Sequence, residues 1–275
     1  MSRPCSVAPL ISFVVATKNA AAEIGDCISN FRKFEIPIQV IIKDGLSTDN
    51  TIKIVEQNLD RVDCLIQRAD AGVYSAWNQA LSSADGAYVA FCGADDRPNP
   101  DWYLNHVDTF RKELTNSDLI YGDLVKTLYG KFRKYRSHDK NVITAADLTK
   151  FWLPHPGLLH RAALFHESQF REDFKLAGDY YFILSAAVRR GHLNVLKLEG
   201  AQCVMHADGM SHSPNAANIY EREFCMMREE LKVEICAPSL TADVYFRLNK
   251  IAPKLAFAAR KTTWIAKGSS SWQSK

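Results

Sequence analysis

Short apolar, β-rich runs alternate with helix-like segments through the first hundred residues. The runs Leu10–Ala16, Ile38–Lys43, Val62–Gln67 and Ala87–Cys92 predict strands, and Ala20–Lys33, Thr51–Asn58 and Tyr74–Ala84 between them predict helices. Strands that are apolar throughout, rather than alternating, belong to a parallel sheet covered on both faces. In such a sheet a ligand sits beyond the carboxyl ends of the strands. Those ends are Thr17-Lys18-Asn19, Asp44-Gly45, the segment from Arg68 to Tyr74, and Gly93–Asp96. After a further helix at Asp101–Leu114 the pattern changes: Asp118–Tyr129 and Lys131–Arg136 flank Gly130 in the manner of a hairpin, so the second half is mixed. Helices are again predicted at Asp179–Arg190 and Asn215–Glu234.

With 275 residues, 47% hydrophobic and 24% charged, the chain has globular composition, which excludes disorder and collagen-like repeats. Its apolar stretches fall short of the roughly 18 to 20 residues that cross a bilayer as a helix. Seven scattered cysteines without a C-x-x-C pair suggest neither a disulfide framework nor a zinc site, and read as buried thiols of a cytosolic protein. Arg3, the following apolar run and Ala20-Ala21-Ala22 imitate a secretory signal, but the run is β-branched, Pro9 interrupts it, and cleavage would remove the first strand.

The net charge of +3 is unevenly divided. Residues 244–275 hold seven Lys and Arg and no Asp or Glu, leaving 27 bases against 31 acids in the rest. Val244, Leu248, Ile251 and Leu255 recur at the spacing of one helical face. Such a basic amphipathic helix can lie on an anionic membrane or pack onto the body or a second copy.

Three segments carry chemistry. Asp95-Asp96 places two carboxylates at a strand end, which suits Mg²⁺ or Mn²⁺ shared with substrate phosphates. The same residues also read as a polar turn ahead of the helix near Asp101. In Asp44–Thr51, Gly45 permits a tight turn and Asp49 or Asn50 can cap the next helix, whereas Asp44 has no such job and can accept hydrogen bonds from a nucleobase or ribose. Arg68–Asn78 reads as a loop entering a helix with Trp77 and Leu81 inward at i, i+4, which leaves Arg68 and Asp70 unexplained.

In this order the segments resemble family 2 glycosyltransferases with the GT-A fold. Val40–Thr51 is similar to the family's Asp-Gly-x-Ser-x-Asp-x-Thr segment. Asp70-Ala-Gly-Val-Tyr-Ser-Ala-Trp-Asn is similar to the Asp-x-Gly-Ile-Tyr-Asp-Ala-Met-Asn signature of members that make bacterial surface polysaccharides, with Ser75 and Trp77 as departures. Gly93-Ala-Asp95-Asp96 stands where the family has its metal-binding acidic motif. The resemblance covers about residues 10–212. It implies an α/β fold of GT-A type: a mostly parallel sheet flanked by helices, with a C-terminal helical extension. The catalytic domain would span 1–212, divided near residue 115 into a nucleotide-sugar-binding half and an acceptor half, followed by a basic helical extension over 213–275.

The implied activity is metal-dependent, inverting transfer of one sugar from a nucleoside diphosphate sugar to a saccharide hydroxyl. The implied setting is synthesis of O-antigen, capsule or exopolysaccharide in the cytoplasm, at the inner face of the membrane. By the resemblance, Thr17 and Asn19 line the nucleotide pocket, Asp44 bonds the base, and Arg68 and Asp70 help hold the nucleotide sugar. Asp95 lies near ribose and metal, and Asp96 is the direct ligand of Mn²⁺ or Mg²⁺. Phe170–Tyr181 resembles a segment in which an Asp opens a helix beneath the acceptor, making Asp179 the general base; N-capping is its structural alternative.

His206 is a further candidate ligand, followed by Asp208-Gly209-Met210-Ser211-His212, similar to a Gly-Gly-x-Ser element. His155, in a matching His-Pro-Gly segment, belongs to the acceptor cleft or to packing. Asp123, after Tyr121-Gly122 at an expected strand end, meets the acceptor or serves a turn. Lys126, Lys131, Arg133, Lys134, Arg136 and Lys140 form a solvated face or a site for an acceptor phosphate, such as a polyprenyl diphosphate-linked sugar; without an aromatic-rich motif they do not suggest nucleic acid. Three competing readings are weaker. A nucleotidyltransferase would need a Gly-rich phosphate loop after the first strand, and dinucleotide-dependent redox chemistry would need G-x-G-x-x-G there. An inactive nucleotide-sugar-binding module would retain the fold without the chemistry.

Overall fold

The computed structural model describes residues 8–128, 131–135, 139–206 and 215–235. The segment from Asp208 to His212 and the basic tail from Val244 lie outside the described residues. The first half runs β1 (Ile11–Thr17), α1 (Ile24–Phe31), β2 (Ile38–Asp44), α2 (Thr51–Glu56), β3 (Cys64–Gln67), α3 (Val73–Leu81), β4 (Tyr88–Gly93), β5 (Arg97–Pro98), α4 (Pro100–Asn105) and α5 (Val107–Lys112). The second runs β6 (Leu119–Leu128), β7 (Lys131–Tyr135), β8 (Val142–Ile143), α6 (Ala145–Leu148), β9 (Leu159–Arg161), α7 (Leu164–Glu167), α8 (Gly178–Arg190), β10 (Leu193–His206) and α9 (Ala216–Leu231).

The strands form one sheet in the order β3-β2-β1-β4-β9-β6-β10-β5, with β7 on β6 and β8 on β10. The four strands expected from the apolar runs are parallel, and register brings their carboxyl ends to one rim: Thr17 beside Asp44, Ala16 beside Gly93, Asp44 beside Gln67. Side chains of β1 alternate between two buried layers, as the pleat requires. Phe13 and Val15 join Ile24, Ile28, Phe31 and Tyr103 on one face. Val14 joins Trp77, Phe91, Phe170 and Phe182 on the other. That second layer also holds Phe224 and Met227 of α9. Among the described residues no helix is long and apolar enough to cross a membrane.

The hairpin forms as expected, β6 pairing antiparallel with β7. Three local features differ. The helix expected over Asp101–Leu114 is two helices, because His106 leaves helical geometry and its Nδ1 lies 2.7 Å from the Trp102 carbonyl. Strand β10 has no counterpart in the sequence reading: polar Lys197, Glu199 and Gln202 break its apolar pattern, and its register against β6 shifts between Lys197 and Ala201 and again before Cys203. Asp123 lies inside β6, not at a strand end, because β6 runs on to Leu128 along β10.

Candidate active site

The rim at the ends of β1 and β4 opens into a cleft of about 760 Å³, with Thr17, Lys18, Asp70, Asp95, Arg97 and His206 among its walls. Thr17 Oγ1 is buried and has no hydrogen-bond partner, a free polar atom at the strand end. Asn19 adopts φ +52°, a left-handed geometry that Asn tolerates better than most residues. There its Oδ1 accepts from Thr48 N (2.8 Å) and its N donates to Ser47 Oγ (2.8 Å). Asp49 accepts from Thr51 N at 2.9 Å and Ala21 N at 3.2 Å, so it caps α2 and pins the β1–α1 loop together. Asp44, fully buried, has the structural role that sequence reasoning did not supply: its two oxygens accept from Ser47 N and Ser47 Oγ and hold the turn after β2.

A buried ion pair fixes the next loop. Lys43, wholly inaccessible, donates from Nζ to Asp70 Oδ2 (2.8 Å) and to the carbonyls of Asp44 (2.9 Å) and Arg68 (2.7 Å). Asp70 Oδ1 in turn accepts from Gly72 N at 3.2 Å. A Cβ on Gly45 would stand 2.7 Å from Asp70 Oδ2, so only glycine lets the two loops approach this closely. Arg68 is exposed, and its backbone N–H bonds the Asp44 carbonyl.

Asp95 is half-buried on the cleft wall, whereas Asp96 is buried and accepts from Gly93 N at 2.7 Å. Burial and the neighbouring Asp95 charge push the Asp96 carboxyl up to about 7, while the Gly93 N–H and Arg97 act in the opposite direction. Arg97 donates to the carbonyls of Ala94 (2.9 Å) and Asp96 (2.8 Å) and shapes this acidic turn.

Asp179 occupies the first turn of α8 with its side chain about a quarter exposed (26%). Its Oδ1 accepts from the Tyr74 hydroxyl at 3.1 Å. Burial raises its carboxyl above the ordinary carboxylate value, with the Tyr180 backbone and the Tyr74 hydroxyl pulling it back. Three further bonds tie residues 170–175 to residues 71–78: Asn78 Nδ2 donates to the Phe170 carbonyl (2.8 Å), its Oδ1 accepts from Phe170 N (3.0 Å), and Lys175 Nζ donates to the Ala71 carbonyl (2.7 Å). A Cβ on Gly178 would meet the Tyr74 ring at 2.7 Å, which favours glycine before Asp179.

His155 is buried between Trp77 and Phe91, at ring centroid distances of 5.1 and 5.9 Å. Burial lowers its pKa to about 3, so at 3.8 Å from Asp179 Oδ2 it is a neutral neighbour. Together with Asp179, Trp152 and Tyr180 it lines a small hollow. Asp123 is buried and ion-paired with Lys134 at 3.1 Å. In the basic cluster Lys140 pairs with Asp147, and Arg136 lies outside the described residues. Sequence reasoning singled out neither Lys43 nor Glu223, and both are wholly buried.

The sequence model for glycosyl transferase family 2 matches residues 12–186. The chain belongs to that family. Among its relatives, a PGL/p-HBAD biosynthesis glycosyltransferase of Mycobacterium bovis (strain BCG / Pasteur 1173P2) is 33% identical over 122 residues, 43% of this chain and 48% of that protein. The poly(ribitol-phosphate) beta-N-acetylglucosaminyltransferase TarS of Staphylococcus aureus (strain Mu50 / ATCC 700699) is 23% identical over 238 residues, 82% of this chain and 40% of its own length. The chain therefore spans less than half the length of these curated relatives. Residues 1–349 of S. aureus TarS in complex with UDP-GlcNAc superpose with a TM-score of 0.61 at 21% identity, over 82% of this chain and 68% of that one. The mannosyltransferase PcManGT from Pyrobaculum calidifontis, in complex with GDP-Man and Mn²⁺, gives 0.59 at 20% identity, over 96% and 77%. At such identities the likeness is one of fold, and the fold is the GT-A type that the family resemblance implied.

Proposed function

We propose that the chain is a metal-dependent, inverting glycosyltransferase that moves a single sugar from a nucleoside diphosphate sugar to a saccharide hydroxyl. The observation that carries this reading is the Tyr74–Asp179 bond: it fixes a carboxylate with a raised pKa to the start of α3, where Gly72 and Val73 line the cleft. The donor would lie at the strand ends, with the unpartnered Thr17 hydroxyl, Asn19 and Arg68 around the nucleotide and Asp70 near the sugar. Asp179 would take the proton of the acceptor hydroxyl as that oxygen attacks the anomeric carbon, opposite the departing diphosphate. The hollow beside Asp179, with His155 in its wall, holds about 20 Å³, room for a hydroxyl or one water but not a sugar ring, so the acceptor would present only its reacting hydroxyl there.

The acidic pair fits a divalent cation, with Asp95 on the cleft wall and Asp96 buried next to it in sequence. Asp95 and Asp96 are hard oxygen donors, and the upward push on Asp96 comes first from burial and then from the Asp95 charge, both of which a bound cation would offset. Among the described residues no three His, Cys, Asp or Glu side chains converge on one point, so these two carboxylates would share the ion with the donor's phosphates, His206 standing on the same wall. When bound, Mn²⁺ or Mg²⁺ neutralises charge developing on the leaving diphosphate. The solved structures of S. aureus TarS with UDP-GlcNAc and of PcManGT with GDP-Man and Mn²⁺ support a nucleotide-sugar donor. The basic sequence of residues 244–275 supports, by its composition alone, an acceptor held at an anionic membrane.

The reading is tested by supplying uridine, guanosine and deoxythymidine diphosphate sugars with Mn²⁺ and saccharide acceptors, and following nucleoside diphosphate release and the product's anomeric configuration. Inverted product from one donor is expected. Binding of a donor without release in any mixture would instead identify an inactive nucleotide-sugar-binding module.

A further inference from the structure

We propose that Glu223, on α9, is a positioning residue for Asp179; this rests on the reading of Asp179 as the base. Glu223 is wholly buried. Its carboxylate accepts from three consecutive backbone N–H groups, those of Lys175, Leu176 and Ala177, the last at 2.8 Å. These are the three residues that lead into Gly178-Asp179, and Ala177 is the cap residue from which α8 starts. Burying a carboxylate is costly, and the cost is offset only where hydrogen-bond donors converge on both oxygens. An apolar residue would leave those three N–H groups without partners, so the carboxylate both satisfies them and fixes the position of the backbone it grips.

The same five residues are held from the donor side. Lys175 reaches the Ala71 carbonyl, Gly178 is pressed against the Tyr74 ring, and Tyr74 bonds Asp179. Glu223 and Tyr74 thus grip the base segment from α9 and α3. Helix α9 lies beyond residues 12–186 matched to the family, so this chain completes its catalytic geometry with an element outside that match.

The test compares Glu223→Gln and Glu223→Asp with wild type by steady-state kinetics and by hydrogen exchange of the amides of residues 175–179. Gln has the same shape but turns an N–H₂ toward the N–H groups. It should lower kcat about 10- to 100-fold, the scale of a small displacement of a catalytic group, with the donor KM within about threefold and faster exchange at 175–179. Asp, which keeps the carboxylate, should recover part of kcat and, should Gln prevent folding, carries the comparison alone. Wild-type kcat and unchanged exchange in a folded variant would overturn the proposal, as would a lower Tm with no change in kcat of the folded fraction. If wild type transfers no sugar, the reading of Asp179 fails, and the exchange data still decide whether Glu223 holds the segment.

Discussion

The hydroxyl of Tyr74 donates to Asp179 Oδ1 across 3.1 Å, joining segments 105 residues apart in sequence. Tyr74 follows directly on Gly72 and Val73, which line the cleft, so whatever the cleft binds is placed relative to Asp179 through one turn of backbone.

Removing that hydroxyl should move the acid limb of the pH–rate profile. The bond favours the charged carboxylate, so Tyr74→Phe should raise the pKa of Asp179 further, and since a base works only when deprotonated, activity should fall away at a higher pH than in wild type. The ring still packs on Trp77 and Phe170, so folding should be preserved. An unmoved acid limb would show that Asp179 does not set it.

Asn78 makes two backbone bonds to Phe170 and is the second tie between the halves. Asn78→Ala leaves that N–H and carbonyl without partners and should cost about 1–3 kcal/mol, read from the urea midpoint. An unchanged midpoint would mean that water replaces both bonds.

Lys43 and Asp70 form a buried pair. Lys43→Met strands a largely buried carboxylate and should destabilise by about 3 kcal/mol, whereas the double variant with Asp70→Asn should recover part of the loss. Strict additivity of the two single effects in chemical denaturation would deny the coupling.

Much of the site was legible because parallel strands end where ligands bind. Thr17, Asp70 and Asp95 do share one cleft, and the strand ends that located them are the strand ends observed. Legibility failed where a charged side chain turns inward onto partners that the sequence pattern does not announce. Asp44 reads as a free carboxylate, yet a local turn consumes both oxygens. Glu223 sits in a helix rich in charge, and its three N–H partners lie 46 to 48 residues away. Lys43 ends an apolar strand, where nothing in the pattern distinguishes a charge snorkelling to water from one turned inward onto Asp70.

Asp96 should make the metal-free protein less stable as pH rises. Its folded-state carboxyl stands near 7, above the ordinary value of 3.8, so between those limits the folded state binds the extra proton. The associated stability is present at low pH and is lost as pH rises through about 7. In chelator, Asp96→Asn should therefore raise Tm by a few degrees at pH 8 and leave it little changed near pH 4. Mn²⁺ should raise the wild-type Tm at pH 8 and do less for the variant. Equal Tm values for the two proteins at pH 8 in chelator would contradict the raised pKa.

The most direct test is the turnover of Asp179→Asn, measured with donor affinity on the same preparation. Asn keeps the shape and can still accept from Tyr74, but it cannot take a proton. If Asp179 is the base, kcat should fall by about 10²–10⁴-fold while donor affinity and Tm stay close to wild type. Turnover within a fewfold of wild type would contradict base catalysis by Asp179.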